Sequence, residues 1–403
     1  MIPANESSRW RSISAWVALA LVMAGLLADP PAALALQAPE EGVGVRLMVG
    51  GTGVAIGHVP SVNGLRINWS DRRLDEINGV NVTLWRPNGP VGGRLRGVGL
   101  GLVPAAGRID GIGIGGAVVG ESGGLRGLHA GVVAVVSAGT LDGVGLAPLA
   151  VVTSRRFRGL GLSGLAVVSS EGIEGIQAGG LAVVSQGSLR GFQASGLAVV
   201  SEGDIRGIQP AGLAVVSRGD MVGSQAGLIA VVTQGTAVGA QVGGLAVVSQ
   251  GPMTGLQLGG LAVVSAGSSR GVKAAGLAVV AGENLEGLSV AGAAVVAGGR
   301  LRGVQATLGS ADGGSRIEGL TVAGYRVRTS ELRGVSAAVG YVDVGRLHGV
   351  SVAGVHVLDV SVGLTIGLVN WTQELRGIQL GLLNRAGNNA APFHILPFVN
   401  AHF

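Results

Sequence analysis

Glycine recurs at every sixteenth position from Gly111 to Gly319, through Gly127, Gly143, Gly159, Gly175 and Gly191. That makes 14 glycines in register. Valine pairs keep the same period, from Val135-Val136 to Val295-Val296. A period held this strictly means that one small structural unit is copied and stacked against its neighbours. The clearest copy is Leu189 to Asp204, LRGFQASGLAVVSEGD. Outside the block the spacing relaxes. Gly64, Gly79 and Gly97 precede it, and Gly334, Gly349, Gly363 and Gly377 follow it. Counting one unit per marker glycine gives 3 + 14 + 4 = 21.

Each unit reads as strand. Val, Ile and Leu come in short runs bounded by Gly and Ser. With 76 glycines in 403 residues, long helices are excluded, since each interior glycine costs a helix about 1 kcal/mol. After the marker glycine the pattern is apolar-polar-apolar: Ile176-Gln177-Ala178, Phe192-Gln193-Ala194, Ile208-Gln209-Pro210. Strand alternation then predicts apolar side chains inward and glutamines outward. Ala194-Ser195-Gly196 suits a corner, and Ser185-Gln186-Gly187 and Ser201-Glu202-Gly203 suit a second turn.

Two all-β architectures fit: a solenoid of about 21 coils of 14–16 residues, or an up-and-down outer-membrane β-barrel. The residue before the marker glycine discriminates. It runs Asp110, Arg126, Asp142, Arg158, Glu174, Arg190, Arg206, and later Arg270, Glu286, Arg302, Glu318. Parallel coils about 4.8 Å apart turn this into a ladder of alternating charge. An antiparallel barrel gathers like charges at each end. Gln177, Gln193, Gln209, Gln225, Gln241 and Gln257 also make sense as a stacked ladder. The expectation is the solenoid, a rod of roughly 100 Å.

The chain's beginning reads as an export signal. Arg9 and Arg11 precede the apolar run Ala15 to Leu27, and Ala33-Leu34-Ala35 fits a small-x-small cleavage pattern. The expected organisation is a signal peptide at 1–35, an N-terminal edge or cap at 36–60, the repeat domain at 61–385 and a C-terminal cap at 386–403. The expected location is exported: cell surface, outer membrane or secreted.

Composition excludes several classes. Cysteine is absent, so there are no disulfides or thiolate metal sites. Collagen's Gly-X-Y period is missing, and 47% apolar content argues against disorder. A net charge of +5 with 3% aromatics gives no basic stripe with stacking rings for nucleic acid. Mean hydropathy of +0.54 is high for a soluble solenoid, and Leu-Ala-Val-Val is apolar on both faces. Some outer surface is therefore expected to be apolar and to serve self-association or envelope and membrane contact.

The segment Gly363 to Asn384, GLTIGLVNWTQELRGIQLGLLN, resembles the bacterial surface-repeat proteins known from Leptospira, whose repeat reads G-[LI]-Q-[IL]-G-[LI]-[VIL]-N. Gly377-Ile378-Gln379-Leu380-Gly381-Leu382-Leu383-Asn384 matches that repeat, and Phe393 to Phe403 resembles the closing segment of the group. The central 16-residue units insert two residues and replace Asn with Ser. The resemblance implies an exported or surface protein and supplies no catalytic residues.

Chemistry-bearing motifs are sparse. Gly111-Ile112-Gly113-Ile114-Gly115-Gly116 satisfies G-x-G-x-x-G without the strand-to-helix context of a dinucleotide site. Arg218-Gly219-Asp220 occupies a turn slot. Asn68, Asn81 and Asn370 head sequons within strands. His58, His129, His348, His356, His394 and His402 lack metal-ligand spacing and read as isolated surface residues, although His394 and His402 could meet. Asp71, Asp75 and Glu76 read as a charged loop compensated by Arg72 and Arg73 rather than a carboxylate pair for acid–base work. No catalytic, cofactor, metal or small-molecule residue is nominated, and the expected function is a structural or interaction protein, not an enzyme. An outer-membrane barrel or pore is the alternative.

Overall fold

A computed structural model describes residues 44–49 and 51–403; the export-signal expectation lies outside them. The described chain is all-β, without a helix, and Gly44–Phe403 form one compact unit. It is a β-solenoid, not a barrel. A regular coil has a long strand, Gly172–Gly179, a turn at Gly180 and Leu181, a short strand, Ala182–Ser185, and a turn at Gln186 and Gly187. The next long strand, Ser188–Ser195, pairs in parallel with Gly172–Gly179 one coil below, and Ala198–Ser201 pairs with Ala182–Ser185 likewise. Strands consecutive in the regular coils are thus two sides of one coil, and each bonds to its copy 16 residues away.

The marker glycines set this geometry. All 21, from Gly64 to Gly377, have φ between +108° and +142°. A Cβ at any of them would lie 2.0–2.4 Å from the carbonyl oxygen of the glycine stacked below. No side chain fits that distance, and L-residues avoid that φ. The sequence period is therefore a backbone requirement repeated once per coil.

The interior is filled by in-register columns. Two positions before the marker stand Ile173, Leu189, Ile205 and Met221, all fully buried. The first valine of each pair, Val167, Val183, Val199 and onward, faces them. At the end of the short strand Ser169, Ser201, Ser217, Thr233, Ser249 and Ser265 are buried too. Their hydroxyls donate to backbone carbonyls 14 residues earlier, as Ser217 Oγ does to Gly203 at 2.8 Å.

The glutamines correct the expected orientation. Gln177, Gln193, Gln209, Gln225, Gln241 and Gln257 point inward, at most 1% exposed, while Ile176, Phe192 and Ile208 point out. Leu189 and Phe192 are three residues apart, so alternation puts them on opposite faces and only one can enter the core. The amide can be buried because its neighbours satisfy it. Each Nε2 from Gln193 to Gln257 donates to the Oε1 of the glutamine one coil earlier at 3.0 Å. Gln193 Nε2 also donates to the Gly175 carbonyl at 3.1 Å.

Both ends of the described stack depart from the parallel rule. Val45–Val49 folds back antiparallel on Thr52–Ile56, and Ile395–His402 folds back antiparallel on residues 377–385 of the last coil. Pro397 sits in this terminal strand, where its missing N–H is tolerated.

Gly207 has φ +123°, and a Cβ there would meet the Gly191 oxygen at 2.1 Å. Gly207→Ala is expected to destabilise the protein by at least about 2 kcal/mol through positive-φ strain and the lost stacking distance. Gly89→Ala, exposed and with nothing within 4 Å of the added carbon, should stay within about 0.5 kcal/mol of wild type. Denaturant unfolding of the two variants side by side checks this.

Candidate interaction surface

In the coils from Leu149 to Leu277, the turn after the long strand presents a large apolar residue outward. From Leu149 to Leu277 the position is Leu or Ile in every coil, 41–53% exposed. A second row follows the marker glycine: Ile176, Phe192 and Ile208, then, after Ser224 and Ala240, Leu256, Val272, Leu288, Val304 and Leu320. Small residues separate the rows and leave shallow grooves. One of about 470 Å³ is lined by Gly180, Ser195, Gly196 and Gly212; another of the same volume has Gly244, Gly260 and Gly276 at its floor with Val242, Leu258 and Val290 among its walls. The surface is thus a continuous apolar strip along the stack, wider than the scattered apolar residues ordinary on a monomer.

The charged column borders it. Arg126 pairs in register with Asp142, Asp142 with Arg158, Arg158 with Glu174, and Glu174 with Arg190. Further along, Arg270, Glu286, Arg302 and Glu318 follow one another. Ion pairs close at 3.4 Å for Arg158–Glu174, 2.9 Å for Arg270–Glu286 and 3.9 Å for Arg302–Glu318. Where the column places Arg206 beside Arg190, Arg206 turns to Asp204, just before the start of its strand, at 3.2 Å.

The weighed motifs take structural places. Gly111 is a marker glycine stacked on Gly97. In the Arg218-Gly219-Asp220 turn, Arg218 pairs with Glu202 at 3.0 Å and Asp220 Oδ1 accepts the Thr236 N–H at 2.7 Å. Asn68, Asn81 and Asn370 are buried, so their amides do not face solvent. Asp71 is not in a solvated loop and is not compensated by Arg72 and Arg73. It is fully buried and bonded by Arg66 at 2.8 Å, by Asn68 and Asn81, and by Thr83. Burial lowers the Arg66 pKa, and Asp71 opposes that shift. Glu76 instead pairs with Arg96 at 2.7 Å.

Two histidines expected at the surface are in the core. His129 occupies the inward slot of its coil above Gly113, whose missing side chain makes room for the ring. His356 bonds Asn370 through Nδ1 at 2.7 Å and Ser351 through Nε2 at 2.9 Å. Asn370 donates on to Asn384 at 2.6 Å, so the asparagine of the Gly377–Asn384 motif belongs to a second buried amide ladder. Burial pushes both His129 and His356 down to about 4. His394 and His402 lie at opposite ends of the last strand's span and do not meet. Among the described residues no group of His, Asp or Glu is placed to hold a metal ion. Lys273, singled out by nothing in the sequence reading, is fully buried in the glutamine column; burial pushes it down to about 8.

Comparison with protein-family models, curated proteins and solved structures returns no match.

Arg158→Glu sets three acids in a row with Asp142 and Glu174. The expected loss is about 0.2–1 kcal/mol per broken pair, larger at low salt, with partial restoration by Glu174→Arg. A double-mutant cycle in which the two changes simply add would contradict the ladder. For the histidines, the folded values lie below the ordinary 6.5, so between pH 6.5 and about 4 the unfolded chain binds more protons. Stability should fall as pH drops through that window, because unfolding takes up about two protons, one each at His129 and His356. His356→Asn, which copies the next two coils, should remove one of them; denaturant midpoints against pH give the count.

Proposed function

We propose that this chain is an exported structural or interaction protein of the bacterial cell surface, without catalytic activity, that associates through its apolar strip. The carrying observation is the unbroken row from Leu149 to Leu277, each residue roughly half exposed in register with its neighbours. At about 4.8 Å per coil the row is ~40 Å long, the scale of a specific contact rather than of isolated surface leucines. The resemblance of Gly363–Asn384 to surface repeats supports the location. The functional chemistry is adhesion: a rigid backbone holds side chains at fixed intervals, and the partner is a second copy or an envelope surface.

The test is a triple variant, Leu197→Asp, Leu213→Asp and Ile229→Asp, which charges the middle of the strip without entering the core. Wild type is expected in the envelope fraction of the producing cell and, once purified, to self-associate or need detergent. The variant should be monomeric in plain buffer with an unchanged circular dichroism spectrum. A wild-type protein that is monomeric without detergent and does not fractionate with envelopes would overturn the proposal.

A further inference from the structure

Lys273 is the chain's one lysine, and its side chain is fully buried. It stands in the inward slot, in register with Gln257 before it and Ser289 after it; Ser289 is in register with Gln305. Along the axis the side chains run long, long, short, long. At about 4.8 Å per coil, a serine fills less of this column than a glutamine would, so the slot between Lys273 and Gln305 holds the shortest side chain of the four.

Each of the open polar groups flanking that slot can donate, and the Ser289 hydroxyl can accept as well. Lys273 Nζ, Ser289 Oγ and Gln305 Nε2 are buried and have no protein hydrogen-bond partner. The Gln305 amide is oriented, since its Oε1 accepts from Thr321 Oγ1 one coil further at 3.2 Å. Its NH2 therefore turns back toward the coil of Ser289. Of the other open buried atoms nearby, Gln257 Oε1 belongs to the coil on the other side of Lys273, and Ser269 Oγ stands four residues back on the strand of Lys273 itself. No carboxylate offsets the charge inside: among the described residues the one buried acid is Asp71, in the N-terminal coils. Glu286 sits on the outer column with Arg270, at 2.9 Å.

We propose that this slot is a binding site for one small monovalent anion of halide size, held by the Lys273 ammonium, the Ser289 hydroxyl and the Gln305 amide. Donors of this kind bind ions strongly in a low-dielectric interior. A water molecule would accept from two of them but would leave the buried charge unbalanced. The lysine, though lowered to about 8 by burial, is mainly protonated at neutral pH, and a bound anion favours that form. Because the site lies between coils, the ion enters as they stack and binds only the folded chain.

The full chain is unfolded by heat in sodium chloride and in sodium methanesulfonate at equal ionic strength, and crystals are grown with bromide for anomalous scattering. The expected result is a melting temperature several degrees higher in chloride, and a bromide peak beside Lys273 Nζ. Lys273→Met should abolish both. Ser289→Gln keeps the lysine, fills the slot and offers Gln305 an amide oxygen, as in the coils before it; it too should lose the chloride effect and the peak. Equal melting in the two salts with no peak would overturn the proposal, leaving the ammonium to Gln257 Oε1. A chloride effect retained in Ser289→Gln would overturn it as well, placing the ion among the surface arginines.

Discussion

Everything in this molecule depends on how closely one marker glycine lies on the next. With a Cβ position 2.0–2.4 Å from a carbonyl oxygen, the approach is possible for glycine alone. The positive φ bends the long strand at the same point in every coil, so the rest of the coil inherits one register. That register makes chemically identical positions neighbours. It explains why the chain can be poor in aromatics and still have a core: small aliphatic groups repeat along the axis, each packing on its own copy.

A core of copies can also hold polar groups that an ordinary core rejects. A lone buried glutamine leaves donors and acceptors unmet, at about 1–3 kcal/mol for an unsatisfied group. A column of glutamines satisfies itself, because the donor of one coil meets the acceptor of the coil below. Aligned amide bonds polarise one another, so the column gains from its length. The same logic covers the serine hydroxyls of the short strand and the His356–Asn370–Asn384 series. Such columns punish any slip of register, which a stack of apolar residues alone would permit.

The architecture was legible because a period and a sign pattern are both readable without knowing which face is inside. The charge alternation demanded parallel neighbours, and the coils are parallel. The inward face was not legible from hydropathy. Phe192 is more apolar than Gln193, yet the face containing Leu189 and Gln193 is the buried one. Reading parity from Leu189 across the glycine would have found it. The Arg66–Asp71 cluster escaped for a different reason. Gly64, Gly79, Gly97 and Gly111 are spaced 15, 18 and 14 residues apart, so no neighbouring copy showed which slot Arg66 and Asp71 occupy.

Departures from the repeat are therefore where individual chemistry resides. At the inward slot the central coils carry glutamine, but earlier coils carry Arg66, Asn81, Gly113, His129, Gly145 and Gly161. These are matched to what stands beside them. Phe157 reaches into the space over Gly145 and Gly161, and His129 into that over Gly113. Arg66 is answered by Asp71 and Asn81. Each large or charged substitution is thus complemented by the coil next to it, in volume or in hydrogen bonds. Lys273 follows the first half of this rule, since Ser269 and Ser289 give it room. It lacks the second half, because the acid of the next coil, Glu286, is engaged by Arg270 on the outer column rather than buried beside it. That asymmetry, in a stack where the other two buried ions, Arg66 and Asp71, match each other from within, distinguishes its coil from the rest of the core.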